Sequence, residues 1–247
     1  MQKELIVLLL ALAPVVCPAQ EPVAGKSGTR SGVVFVIDGV GGGDVLGCVS
    51  TLVFPRVGVP HEIRVFEWTH GRGKILRDLQ DHRYLMKKAK SLSDEVERYR
   101  TANPGCPVYL LAKSGGAGLA LAAAELLPSD CLERIVLLSP AVAPSYDLRP
   151  ALRAAGQIVS FYSHGDYIIL GLGTSQFGTV DRRYGPAAGL LGFDVPAYLA
   201  PGDRKLYDRL VQVSWKPEMI MLGHLGTHLG TSMPGFLHKQ VAPWLMP

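Results

Sequence analysis

The chain has 247 residues, 48% hydrophobic and 19% charged, with a formal net charge of +4. That balance supplies a sizeable core and excludes intrinsic disorder, which needs low hydrophobicity and high net charge. Scattered basic residues, with no nucleic-acid motif, internal repeat or low-complexity tract, point away from a nucleic-acid partner, and Lys87, Lys88 and Lys90 read as a solvated helix face.

The chain opens with a targeting pattern. Lys3 precedes an apolar run from Leu5 to Val16, and Cys17-Pro18-Ala19 closes on a small residue, as in a signal peptide. The run is shorter than the roughly 20 residues a spanning helix needs, although Glu4 keeps a retained anchor open as the alternative. Residues 1–19 are expected to be removed, 20–31 to form a disordered linker and 32–247 to form one domain. Export to the periplasm or the extracellular space follows, with no stable membrane insertion afterwards. Of the remaining cysteines, Cys106 and Cys131 each precede a strand and would share one sheet edge, so a Cys106–Cys131 bridge is predicted, three buried thiols being the alternative.

Val33–Ile37 is an unbroken β-branched and aromatic run, the pattern of a strand buried on both faces. A Gly-rich loop, residues 39–43, then opens a helix near Asp44. Glu62–Trp68 reads as a strand and Thr69–Asp81 as a polar loop. Leu85, Ala89, Leu92, Val96 and Tyr99 place one apolar stripe on a helix over 82–101, stopped by Asn103-Pro104-Gly105. Val108–Ala112 is a central strand and Gly115–Leu127 a small-residue helix. Ile135–Leu138 and Ile158–Tyr162 are further strands, separated by a short helix near Arg149–Ala155. Residues 171–193 lack periodicity and read as a long loop. Leu210–Trp215 and Glu218–Leu222 read as a possible hairpin, and Pro234–Leu245 as a last helix. Alternating strands and helices predict a mainly parallel sheet covered on both faces, with ligands beyond the carboxyl ends of its strands.

Those strand ends carry the chemistry. Ala112-Lys113-Ser114-Gly115-Gly116 places a serine at a sharp strand-to-helix turn, where its hydroxyl stands exposed and the glycines let the helix pack close. An alternative role for Ser114 is a simple helix cap. The next strand but one ends in His164-Gly165-Asp166, and Gly223-His224-Leu225-Gly226-Thr227-His228 follows the last. Serine, acid and histidine thus arrive in an order in which an imidazole can take the serine proton while a carboxylate fixes its tautomer. His228 is the expected base with His224 its rival; Asp166 is the expected acid, with Asp181 expected to organise its own loop. His70 is expected at the surface. One oxyanion donor would be the Gly115 N–H, the other Val40 or Gly41. No metal-ligand spacing and no cofactor motif is present, so no cofactor is expected.

With AKSGG, HGD and GHLGTH at these places, the chain resembles the α/β-hydrolase superfamily, in particular exported serine esterases and lipase-like proteins, over Val33 to about Trp244. The resemblance implies a three-layer α/β/α-hydrolase fold with a mainly parallel sheet and no large cap domain. It implies Ser114 as nucleophile, Asp166 as acid, His228 as base, and Val40 and Gly115 at the oxyanion hole. The substrate would be a small-molecule or lipid-like carboxylic ester. Alanine stands at the first glycine of the elbow pattern, and no antiparallel strand pair is evident before Val33. Acyl transfer through the same triad, or a non-catalytic binding role on the same fold, are the alternatives.

Overall fold

Val33–Ile37 forms β1, and all five of its side chains are buried. The computed structural model describes residues 31–246; the expected signal segment lies outside them. After β1 come α1 (Val45–Arg56), β2 (Glu62–Val65), α2 (Ile75–Gln80), α3 (His82–Ala102), β3 (Val108–Lys113) and α4 (Gly115–Ala124). Then follow β4 (Leu132–Leu138), α5 (Arg149–Ala154), β5 (Ala155–Tyr162), α6 (Pro201–Tyr207) and β6 (Leu210–Ser214). The strands make one sheet in the order β2-β1-β3-β4-β5-β6, and every neighbouring pair is parallel.

Period-two alternation splits the strand side chains between two cores. Phe35, Ile37, Leu110, Ala112, Ile135 and Leu137 face one side, packed with residues of α3, α4 and α5. Val34, Val36, Tyr109, Leu111, Val136 and Leu138 face the other, against Leu46 and Phe54 of α1 and the C-terminal Phe236, Val241 and Leu245. The result is a three-layer α/β/α sandwich. The α3 stripe is buried as its spacing predicts, and the Asp81 side chain caps that helix by accepting the Tyr84 N–H at 3.0 Å.

Several sequence expectations are corrected. Glu218–Leu222 does not pair as a hairpin: Pro217–Leu222 is a 3-10 helix, with Pro217 in its first turn and Met221 89% exposed. Of its apolar letters, Ile220 and Met221 face outward while Met219 packs into the core. The expected polar loop over 69–81 contains α2, which buries Asp78 while Leu76 is exposed. With six residues and a single i, i+4 apolar pair, Ile75 and Leu79, it is too short for periodicity to reveal. Residues 171–193 hold short helical turns, among them Thr174–Phe177 and Ala188–Leu191. The closing helix is broken into short turns over Pro234–Leu245, where Pro243 supplies no N–H to a regular ladder. Cys106 and Cys131 are free thiols, not a bridge.

Among the described residues no helix is long and apolar enough to cross a membrane. Between β4 and α5 there is room for turns only. Among the described residues the longest connection between consecutive strands, 163–209, joins β5 to β6.

Candidate active site

Strand β3 runs through Lys113 directly into Ser114, whose φ of 53° and ψ of −124° lie outside the regions that ordinary side chains favour. Such a conformation costs about 1–3 kcal/mol and persists only where its surroundings over-determine it. They do so here. Ser114 N–H donates to the Leu138 carbonyl at 3.0 Å, and the Ser114 carbonyl accepts the N–H groups of Ala117 and Ala141 at 3.1 and 3.0 Å. The glycine after next is required for space: a Cβ on Gly116 would lie 2.3 Å from the Asp38 carbonyl oxygen. Ala112, at the elbow's first position, is fully buried in the core, so its methyl is accommodated.

The acid and the histidine come from different strand ends. Asp166 follows β5 and is 2% exposed; His228 follows β6 and is 8% exposed. Their side chains meet at 2.7 Å, His228 Nδ1 to Asp166 Oδ2. A carboxylate there makes Nδ1 the donor and leaves Nε2 as the basic nitrogen. Ser163 ties the two loops together: its hydroxyl donates to the Gly226 carbonyl at 2.7 Å and accepts the Gly165 N–H at 3.2 Å. Sequence reading missed Ser163, although its place at the end of a buried strand beside HGD was a usable signal.

His224 does not face Asp166. Its Nδ1 accepts the Gly226 N–H at 3.1 Å, its carbonyl accepts from Trp215 Nε1 at 2.8 Å, and its ring meets Phe236 edge-on. Burial, with the nearby Lys113 charge, pushes its pKa down to about 4. It is a neutral prop for the loop that carries His228. Asp181 accepts the Ala143 N–H at 3.1 Å, which stitches its loop to the segment after β4. His70 is not a surface residue: it lies between Asp78 and Asp81, with a side chain only 8% exposed. No sequence signal pointed to this pairing, because Asp78 and Asp81 read as polar letters of a polar loop.

Ser114 and His228 line one cavity of about 310 Å³, with Val40, Ile75, Leu79 and Leu170 among its apolar walls. Ile169 also lines it, whereas Tyr167 and Ile168 are 58% and 54% exposed. The loop after β1 forms another wall. Its Gly39 N–H donates to Asp38 Oδ1 at 2.8 Å and its Gly41 N–H to Asp78 Oδ2 at 2.8 Å. Between these two committed amides, the Val40 N–H makes no hydrogen bond among the described residues. Val40 also packs on Gly115, the residue after Ser114, its Cγ1 lying 2.6 Å from where a Gly115 Cβ would stand. Of the two candidate donors in that loop, only Val40 is therefore uncommitted.

Beneath the serine lies Lys113, fully enclosed, its Nζ donating to Ser232 Oγ at 2.6 Å. Burial pushes its pKa down, and the carboxylates of Asp38 and Asp166 pull it back up. Asp38 is itself held by the Leu46 N–H at 2.7 Å, at the amino end of α1. Among the described residues no group of three or more His, Cys, Asp or Glu side chains is gathered so as to hold a metal ion.

The parallel strand order, with a serine on the β3–α4 turn and acid and histidine loops after β5 and β6, defines the α/β-hydrolase fold. No family model matches the chain, and no curated protein sequence does. Among solved structures it is similar to a monoacylglycerol lipase from Paleococcus ferrophilus, at 15% identity over 92% of this chain and 98% of that one, with a TM-score of 0.48. It is likewise similar to a CIB-like hydrolase from Thermoplasma acidophilum, at 10% identity, 89% and 88% coverage and a TM-score of 0.48. A third is a cutinase-like protein from Cryptococcus sp., at 12% identity, 88% and 98% coverage and a TM-score of 0.45.

Proposed function

We propose that this chain is an exported serine hydrolase that cleaves carboxylic esters through an acyl-enzyme intermediate. The observation that carries the reading is the buried Asp166–His228 pair opening onto the same cavity as a serine held in strained geometry. In the first step His228 Nε2 takes the Ser114 proton as Oγ attacks the ester carbonyl carbon. The carbonyl π electrons move onto oxygen, where the Val40 and Gly115 N–H groups receive the charge. Collapse expels the alkoxide, which takes the proton from His228 and leaves as the alcohol. Water then repeats the sequence on the acyl-enzyme and regenerates Ser114. The cavity lies at the low end of the roughly 300–1,000 Å³ range of ligand pockets. Its apolar walls suit a small acyl group, with the ester at the serine.

The test is labelling of the purified protein with a fluorophosphonate, followed by mapping of the modified residue. The expected result is a single adduct on Ser114, lost in Ser114→Ala and strongly slowed in His228→Ala. A folded protein that gives no adduct overturns the reading.

A further inference from the structure

Asp78 is a buried carboxylate outside the Ser114–His228–Asp166 set, and three nitrogens converge on its two oxygens. Oδ2 accepts the Gly41 N–H at 2.8 Å, while Oδ1 accepts the His70 backbone N–H at 2.7 Å and faces His70 Nδ1 at 2.9 Å. The Gly41 carbonyl in turn accepts the Gly73 N–H at 2.9 Å. Both polar groups of Gly41 are thus tied to the segment around α2. That segment is anchored through the His70 ring, which lies 3.9 Å from the Tyr84 ring and 3.4 Å from Asp81 Oδ2. Gly41 has a φ of 90°, and Ile75 Cγ1 lies 2.7 Å from where its Cβ would stand. The loop therefore holds a shape that the chain alone would seldom adopt.

The Gly41 N–H shares one rigid peptide plane with the Val40 carbonyl. Pinning that N–H fixes the plane and leaves the preceding amide, Val40 N–H, uncommitted beside Ser114. We propose that Asp78 is the positioning residue of the oxyanion hole: from the far side of the loop it sets the Val40 amide that receives the developing charge. The inference rests on the serine-hydrolase reading above. Only a carboxylate fits, because an Asn carboxamide would turn its NH₂ group toward a backbone N–H that needs an acceptor.

The test compares the parent and Asp78→Asn on a p-nitrophenyl ester, with inhibition by a trifluoromethyl ketone that forms a tetrahedral adduct, and with thermal melting. Displacing one oxyanion donor is expected to lower kcat about tenfold to a hundredfold. KM should stay within about threefold, since the ground-state carbonyl uses the hole less. The inhibition constant should rise in step with the loss in kcat/KM. A merely structural role would lower the titratable active fraction and leave that constant unmoved. A folded Asp78→Asn protein with parent-like kcat and inhibition constant overturns the proposal. Should the variant fail to fold, Gly41 amide exchange in the parent decides: strong protection supports the clamp, and exchange at the free-peptide rate overturns it. Failure of the hydrolase reading has a different signature, a parent that neither labels nor turns over, and it removes this inference with it.

Discussion

Two buried imidazoles should make the protein acid-labile well above the pH at which carboxylates titrate. His61 is 4% exposed at the start of β2, its Nδ1 accepting the Gly32 N–H at 2.9 Å and its ring stacked 4.8 Å from Tyr109. Burial pushes its pKa from 6.5 to about 4, and His224 falls to about 4 for the same first reason. In the unfolded chain both rings bind a proton near pH 6.5, whereas in the folded protein they do so only near 4. Between those values the unfolded state carries more protons, so stability is complete above pH 6.5 and is lost as the pH falls toward 4. Each ring accounts for about 2 kcal/mol at pH 5 and about 3 kcal/mol near pH 4. Together they approach the whole stability of an ordinary domain, about 5–15 kcal/mol. The assay is urea unfolding at pH 7.5 and pH 5, in the parent and in His61→Asn. Asn keeps an acceptor where Nδ1 stands but does not titrate, and His61 lies away from the cavity. With a slope of about 2–3 kcal/mol/M, the parent midpoint should fall by roughly 1.3–2 M between the two pH values. His61→Asn, less stable at pH 7.5 for loss of ring packing, should show about half that fall. Other groups, including Asp44 with its carboxyl pKa raised by burial, act on both proteins alike and cancel in the comparison. A parent midpoint that does not move, or an unchanged fall in the variant, would refute the reasoning.

The remaining predictions concern the site. Asp166→Asn keeps the shape but presents an NH₂ group to His228 Nδ1, which favours the wrong tautomer; ester turnover should drop by about four orders of magnitude with little change in KM, measured by steady-state kinetics beside a melting curve. Ser114→Gly removes the side chain from a backbone conformation that glycine adopts freely, so it should abolish turnover and raise stability by about 1 kcal/mol, or roughly 2–4 °C in Tm. Ser114→Ala, with its Cβ retained, should gain none of that, and equal melting temperatures would show that the elbow is not strained.

The sheet was legible because parallel strands buried on both faces read as unbroken apolar runs, and β1 and β3 stand out in the letters alone. So was the α3 stripe. Part of what was not legible has its cause in a partner far away in sequence. Asp78 reads as one more polar letter of a polar stretch, and only the approach of Gly41, 37 residues earlier, makes it a buried acceptor. The 3-10 turn over Pro217–Leu222 reads as a strand because Ile220 and Met221, exposed in the fold, count as core in the pattern beside the buried Met219. The letters leave His224 as a rival to His228, whereas the structure separates them by chemistry. One ring meets a carboxylate, and the other accepts a backbone N–H in an apolar pocket.

Lys113 shows how a broken local rule can be read. A lysine closing the run Val108–Lys113 offends the pattern of a strand buried on both faces, and such offences collect where function or compensation lies. Alternation turns it to the α1 side with Tyr109 and Leu111, under the serine and beside the acid. An ammonium there costs several kcal/mol to desolvate unless opposite charge and hydrogen bonds offset the cost. The Ser232 hydroxyl and the fields of Asp38 and Asp166 do so. The compensation is mutual: Asp166, itself 2% exposed, gains a neighbouring cation as well as the imidazole. The letter that breaks the strand pattern thus stands next to the one that strains the backbone, and both are held by loops from other strand ends. The site is therefore placed by the sheet, and no single element could hold it alone.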